Sequence, residues 1–202
     1  MNFLAHFHLA WPDEMLVVGG LEGDFHKGAL PGALPSELLQ GVRLHRAIDA
    51  FTDSHAEVAG LRRQFPQGLR RYAGILIDLC FDHFLARHWE AHSDISLVEF
   101  NRVVYGMLER QQGLLSDRAA RMAGWLCSYD MLNHYQHWDT IPASAMRIGE
   151  RLRGDNPLTE TDRHLSELLP ELERSFAVFY PDLVDFSQRS ISQFFNEMET
   201  ST

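Results

Sequence analysis

"AGILIDLCFDHFLA", residues 73–86, decides how this chain folds. Wound as an α-helix, it spreads Ile75, Leu76, Ile77, Leu79, Cys80, Phe81, Phe84 and Leu85 over nearly every face. A helix that is apolar all round is buried, so this one forms the centre of a core. It also carries Asp78 and Asp82 one turn apart, with His83 directly after them. An ionised carboxylate is costly to bury without a partner, so buried aspartates are paired or bind metal. Two readings are open: each Asp pairs with an Arg from a neighbouring helix, or Asp78, Asp82 and His83 help build a divalent-metal site. The second also gives His83 a purpose, and Asp with His favours Mn, Fe, Zn or Mg over soft-metal sites. On that reading Asp82→Ala is expected to remove activity and leave the fold intact, because repulsion between buried carboxylates is relieved.

A second stretch, "RLHRAIDAFTDSH" (43–55), places His45, Asp49 and Asp53 on one side of a helix, with Arg43, Arg46 and His55 close by. Val42, Leu44, Ile48 and Phe51 are enough to pin that helix to a core. Asp24 follows Gly19, Gly20 and Gly23, a backbone flexible enough to carry a carboxylate to a cleft; its plainer role is to bond its own turn. His6 and His8 are two apart, so on a helix only one of them reaches a common site.

Apolar spacings of three and four dominate elsewhere and alternating runs are scarce, which predicts an all-α chain. Helices are expected from Ser36 to about Thr52, from Gly68 to His92 and, after the capping box "SLVE" (96–99), to about Gln112. Ser116 is expected to cap a helix through about Tyr135, and Pro142 and Gly154 to bracket another over 142–153. The region after "TETD" (159–162), punctuated at Pro170 and Pro181, reads as two or three helices. The Gly- and Pro-rich 19–35 is the long irregular segment, and such segments are often functional. No repeat or linker divides the 202 residues, which read as one domain.

The net charge of −10 argues against a nucleic-acid binder, although a local basic patch can operate on an acidic protein. All the basic residues except Lys27 are Arg. Cys80 and Cys127 make no disulfide framework, no basic leader precedes the apolar start, and no apolar run reaches membrane length. The expectation is a cytoplasmic protein that binds neither nucleic acid nor membrane. There is no GxGxxG, phosphate loop, GxSxG or HExxH, and no ExxH pair of the di-iron bundles.

Taken in order, "MNFLAHFHLA", "GDFHKG", "GVRLHRAIDAFTDSH" and "DLCFDHFLARHW" resemble the acyl carrier protein phosphodiesterase family, which is similar to a divergent branch of the HD-type metal phosphohydrolases. The likeness spans most of the chain and is densest from Met1 to about Trp89. It implies a single-domain, helical, HD-like bundle that removes 4′-phosphopantetheine from holo-acyl carrier protein with a divalent cation. Manganese is typical of the family, and magnesium or iron would also serve. By the resemblance Asp24, His45, Asp49, Asp78, Asp82 and His83 fall at the metal-site and catalytic positions, with His6 a further candidate. The adjacent pair reads Asp82-His83, the reverse of the usual His-Asp order, so ligand roles do not transfer one to one.

The chemistry needs charge at the phosphoryl oxygens and a nucleophile at neutral pH, both of which a metal ion supplies. Asp49 or Asp53 would orient or deprotonate water, and Arg46 would hold the equatorial oxygens. Arg62, Arg63, Arg70 and Arg71, around the turn in "LRRQFPQGLRR" (61–71), would steer an acidic carrier protein to the cleft. The competing readings are an HD-like phosphohydrolase of a small nucleotide-type substrate and a non-enzymatic helical binding module that retains no metal.

Overall fold

The buried helix is where the sequence puts it. In the computed structural model, which describes residues 1–26, 28, 34–152 and 154–200, the α-helices run in chain order as follows. They are α1 (Phe3–Ala10), α2 (Glu14–Gly23), α3 (Leu39–Ser54), α4 (Ala56–Gln64), α5 (Ala73–Arg87), α6 (Leu97–Arg110), α7 (Asp117–Ser128), α8 (Met131–His134), α9 (Thr140–Arg151) and α10 (Asp162–Thr200). Among the described residues there is no strand, so the all-α expectation holds. Leu76, Ile77, Cys80, Phe81, Phe84 and Leu85 of α5 are all fully buried. Around that helix pack α1, α4, α9 and α10, and one hydrophobic cluster joins them.

Local signals account for several boundaries. The Ser96 side chain accepts from the backbone N–H of Glu99 at 3.2 Å and opens α6, and Ser116 accepts from Ala119 to open α7. The helix expected to run on to Tyr135 breaks earlier, because Asp130 takes a left-handed φ of 48° and starts the short α8. Gly154, at φ 80°, closes the turn after α9.

Two expectations fail. The two or three helices expected after Thr161 are one helix, α10, with Pro170 and Pro181 inside it. Both prolines lie on its solvent side, while Leu165, Leu172, Phe176, Phe179 and Leu183 continue one buried face past them. Burial of that face outweighs the roughly 3 kcal/mol that an interior proline costs. The irregular segment is also shorter than expected: Gly19, Gly20 and Gly23 belong to α2 and are buried. Residues 27 and 29–33 of that segment lie outside the described residues.

Gly19 and Gly23 serve packing rather than flexibility. A Cβ on Gly41 of α3 would stand 2.6 Å from the Leu16 carbonyl oxygen and 2.7 Å from the Gly19 Cα. One on Gly23 would stand 2.8 Å from the His45 ring. α2 and α3 thus touch backbone to backbone at Gly19 and Gly41, and the imidazole of His45 lies against Gly23. Gly41→Ala should therefore destabilise the protein by about 1–3 kcal/mol or more in urea unfolding. Gly124→Ala, where a Cβ meets nothing within 4 Å on exposed helix α7, should instead gain up to about 1 kcal/mol.

Candidate metal centre

His6 of α1 and His45 of α3 stack face to face, their ring centroids 4.1 Å apart and their planes 21° from parallel. Asp49, one turn after His45, presents one carboxylate oxygen to each ring: Oδ1 lies 3.2 Å from His6 Nε2 and Oδ2 lies 3.2 Å from His45 Nε2. One ligand atom from each of the three falls within 4.8 Å of the others, a spacing that suits a metal ion. Both ring nitrogens of His6 and Nδ1 of His45 are buried without a hydrogen-bond partner, so the Nε2–Asp49 approach of His6 is a close contact with poor hydrogen-bond alignment.

Orphaned imidazole nitrogens around one carboxylate are what a cation site looks like before the cation. Burial, reinforced by the neighbouring His45, pushes the His6 imidazole down to about 3 and leaves it neutral, the form that binds metal. Burial raises the Asp49 carboxyl, but its contacts with His45 and His6 outweigh that and hold it below the usual carboxylate range. Beside the cluster is a void of about 20 Å³ lined by His6, His45 and Asp24, enough for one water-sized species. The residues fit a divalent cation.

The cluster opens onto a cavity of about 450 Å³, a size typical of small-molecule sites. Asp24, Asp49, Asp53 and Asp78 line it, with Met1, Thr52 and Tyr135. Asp78 accepts from the α-amino group of Met1 at 3.0 Å, and burial raises its carboxyl against that cationic neighbour. Asp53 pairs with Arg62 at the rim.

Three expected residues stand elsewhere. Asp82 is fully buried, yet it faces neither an Arg nor the imidazole pair. Its carboxylate accepts from the backbone N–H groups of Asn2 (3.3 Å), Leu4 (2.8 Å) and Ala5 (3.3 Å), capping α1 from another helix. Burial pushes its carboxyl up to about 7, against the pull of the Met1 α-amino group and of the Leu4 and Ala5 N–H groups. His83 is turned towards α8: its Nδ1 donates to the Tyr135 carbonyl at 2.7 Å, and its ring edges against Trp138. That bond fixes its tautomer and occupies a nitrogen far from Asp49's contacts. Arg46 donates to the His26 carbonyl at 2.9 Å and is not among the residues described as lining the cavity. His8, on the other side of α1, bonds Tyr180 and the His92 carbonyl, so only His6 of that pair reaches the centre.

Of the four turn arginines, Arg70 caps the Phe65 and Arg63 carbonyls, Arg71 lies over the Tyr72 ring, and Arg63, Arg70 and Arg71 are exposed. One wall escaped the sequence reading. Ser144, Arg147, Ile148, Arg151 and Leu152, from α9 and the residue after it, face the cavity with Trp125 and Met122 of α7. Their helical spacing was visible, but nothing in the sequence says which partner α9 meets.

The family model described as acyl carrier protein phosphodiesterase matches residues 1–183. Two proteins named acyl carrier protein phosphodiesterase from Klebsiella pneumoniae are 33% and 35% identical over 189 and 193 residues, each match spanning 93% of this chain and 98% of the relative. One of the same name from Escherichia coli O45:K1 is 34% identical over 193 residues, 94% of this chain and 98% of the relative. No solved structure matches the chain.

The geometry reverses the expectation for Asp82. Asp82→Ala leaves the N–H groups of Asn2, Leu4 and Ala5 without their acceptor, and should destabilise the protein by about 1–3 kcal/mol in thermal or urea unfolding. Asp82→Asn, which keeps an acceptor oxygen, should lose less. An alanine variant as stable as the parent would rule out the capping role.

Proposed function

The chain belongs to the acyl carrier protein phosphodiesterase family, and from that membership we propose that it removes 4′-phosphopantetheine from holo-acyl carrier protein with the help of a divalent cation, leaving the apo form. The observation that carries the metal part is the His6–His45–Asp49 cluster, with its buried imidazole nitrogens that meet no hydrogen-bond partner. Manganese is the cation we assign, with magnesium or iron as substitutes, since imidazole with carboxylate suits these ions. When bound, the cation supplies charge at the phosphoryl oxygens and brings water to nucleophilic strength near neutral pH.

The chain's own residues complete the reading. Asp49, held ionised by its contacts with His45 and His6, brings one carboxylate oxygen beside each ring, so that the three side chains could share one cation. Asp24 borders the same void from the end of α2. Asp53 lines the cavity with its carboxylate held in place by Arg62, and we assign it to orient the attacking water. Asp78 lies deeper on the same wall. We leave Asp82, His83 and Arg46 out of the ligand and catalytic set, as positioning residues for α1, α8 and the residues after α2. The HD-type kinship is part of this proposal and rests on the order of residues in the sequence.

The partner is an acidic helical protein, and Arg63, Arg70 and Arg71, exposed in the turn that follows α4, would offer it a basic surface. We place the reaction in the cytoplasm, where the two free cysteines stay reduced. No helix among the described residues is long and apolar enough to cross a membrane.

Incubation with holo-acyl carrier protein and manganese, followed by intact mass measurement, tests the proposal. The carrier should lose the whole phosphopantetheine group with its phosphate, and chelation should stop the loss. Hydrolysis of nucleotides with the carrier's mass unchanged would favour a small-molecule phosphohydrolase instead. In calorimetric titration with manganese, His6→Ala, His45→Ala and Asp49→Ala should each weaken binding by roughly a hundredfold or more, whereas His83→Ala should leave it nearly unchanged. Arg63→Glu with Arg71→Glu should slow turnover of the carrier, more at low salt than at high, and leave a small generic phosphodiester untouched. Arg62 is kept in that experiment, because its loss would also release Asp53.

A further inference from the structure

We infer that Arg147 and Arg151 of α9 bind the phosphate of the substrate in the cavity that the carboxylates also line, while the apolar residues beside them carry the organic arm of the phosphodiester. The identity of that arm rests on the function proposed above; the anion-binding role does not.

The cavity is lined by Asp24, Asp49, Asp53 and Asp78, and also by Arg147 and Arg151. Four exposed arginines of this chain find carboxylates, Arg102 with Glu99, Arg110 with Glu14, Arg163 with Glu167 and Arg174 with Glu171, whereas those of the 61–71 turn such as Arg63 and Arg71 do not. Arg147 and Arg151 have no hydrogen-bond or ion-pair partner among the described residues, although four aspartates share their cavity. Their spacing of four puts two like charges side by side on one helix, which destabilises the helix unless an anion lies between or before them. Guanidinium forks suit the planar, two-oxygen recognition of a phosphate better than they suit a lone carboxylate held across a gap.

The apolar half of the wall sets the kind of anion. Ile148 and Leu152 follow the two arginines, and Trp125 and Met122 of α7 continue the strip. Leu152 is 39% exposed, so its side chain is within reach of a ligand in the cavity. Inorganic phosphate would leave that strip bare. An organic phosphate with a long, largely uncharged arm covers it, which is the chemistry of a phosphopantetheine group.

Calorimetric titration of the manganese-loaded protein with 4′-phosphopantetheine, with inorganic phosphate and with apo-acyl carrier protein separates the possibilities. Arg147→Ala with Arg151→Ala should weaken 4′-phosphopantetheine at least about tenfold, the scale of losing charge-assisted hydrogen bonds, and leave manganese affinity unchanged. Arg147→Lys with Arg151→Lys should lose less, since the charge is kept and only the fork is lost. Wild-type protein should bind 4′-phosphopantetheine more tightly than inorganic phosphate. Equal binding by parent and double alanine variant overturns the inference, as does a parent that binds neither phosphate ligand. A loss confined to apo-acyl carrier protein also overturns it, and would make the pair a docking site for acidic side chains. If 4′-phosphopantetheine binds in an arginine-dependent way but the mass of the holo-carrier never changes, this inference stands and the proposed reaction falls.

Discussion

The position of the candidate centre depends on one buried carboxylate at the start of α1. Asp82 lies in the middle of an apolar helix, and the free energy lost in taking it out of water is offset by three backbone N–H groups and the positive end of α1. The dependence runs the other way as well. α1 has only eight residues, too few for a helix to persist by itself in water, and no side chain of its own N-cap residue closes its first turn. α5 supplies that closure from across the core. His6 sits one turn into α1, so the ring that stacks on His45 is aimed by a residue that never touches it.

On the other side of the stack the constraint is an absence. His45 lies against Gly23, where a methyl group would already press into the imidazole, and Gly41 lets α3 approach α2 close enough for that contact. Helix packing at ordinary separations of 8–10 Å would leave room for ring rotation. Backbone contact removes it. One imidazole is thus aimed by a hydrogen-bonded helix terminus and the other is pinned by missing side chains. Asp49 then needs only its place one turn after His45 to meet both.

Residues 73–86 were legible because all-round apolarity has one meaning, and 43–55 because a spacing of four admits few alternatives. The single run of α10 was not legible, since a proline's cost is local while the burial that overrides it comes from helices far away in sequence. The backbone partners of Asp82 were not legible for a related reason. A buried carboxylate has three ways to be satisfied, by a cation, by an arginine or by a helix N-terminus, and the third leaves no mark within its own segment. His83 stands next to Asp82 in sequence but turns towards α8. His6 stacks on His45 because α1 is helical and points His6 and His8 apart. Arg147 and Arg151 look like ordinary solvated charges until the cavity they border is seen.

On the proposed function, an acidic protein acts on an acidic partner, and the cavity sharpens the electrostatic difficulty. Asp24, Asp49, Asp53 and Asp78 all line it, and carboxylates repel a phosphodiester in a recess where the low dielectric weakens screening. On that reading a cation at the His6–His45–Asp49 cluster would remove part of the repulsion at the point of chemistry. Arg147 and Arg151, which have no ion-pair partner among the described residues, would remove more of it along the approach. Neither would serve alone. A cation without the arginines would leave the organic arm to find its own path past carboxylates. Arginines without the cation would bind the anion without bringing it to the imidazoles. The net charge of −10 is a property of the whole surface, whereas substrate entry would answer to the field inside a single recess. Sequence-wide charge therefore says little about what this cavity admits; the residues that line it say more.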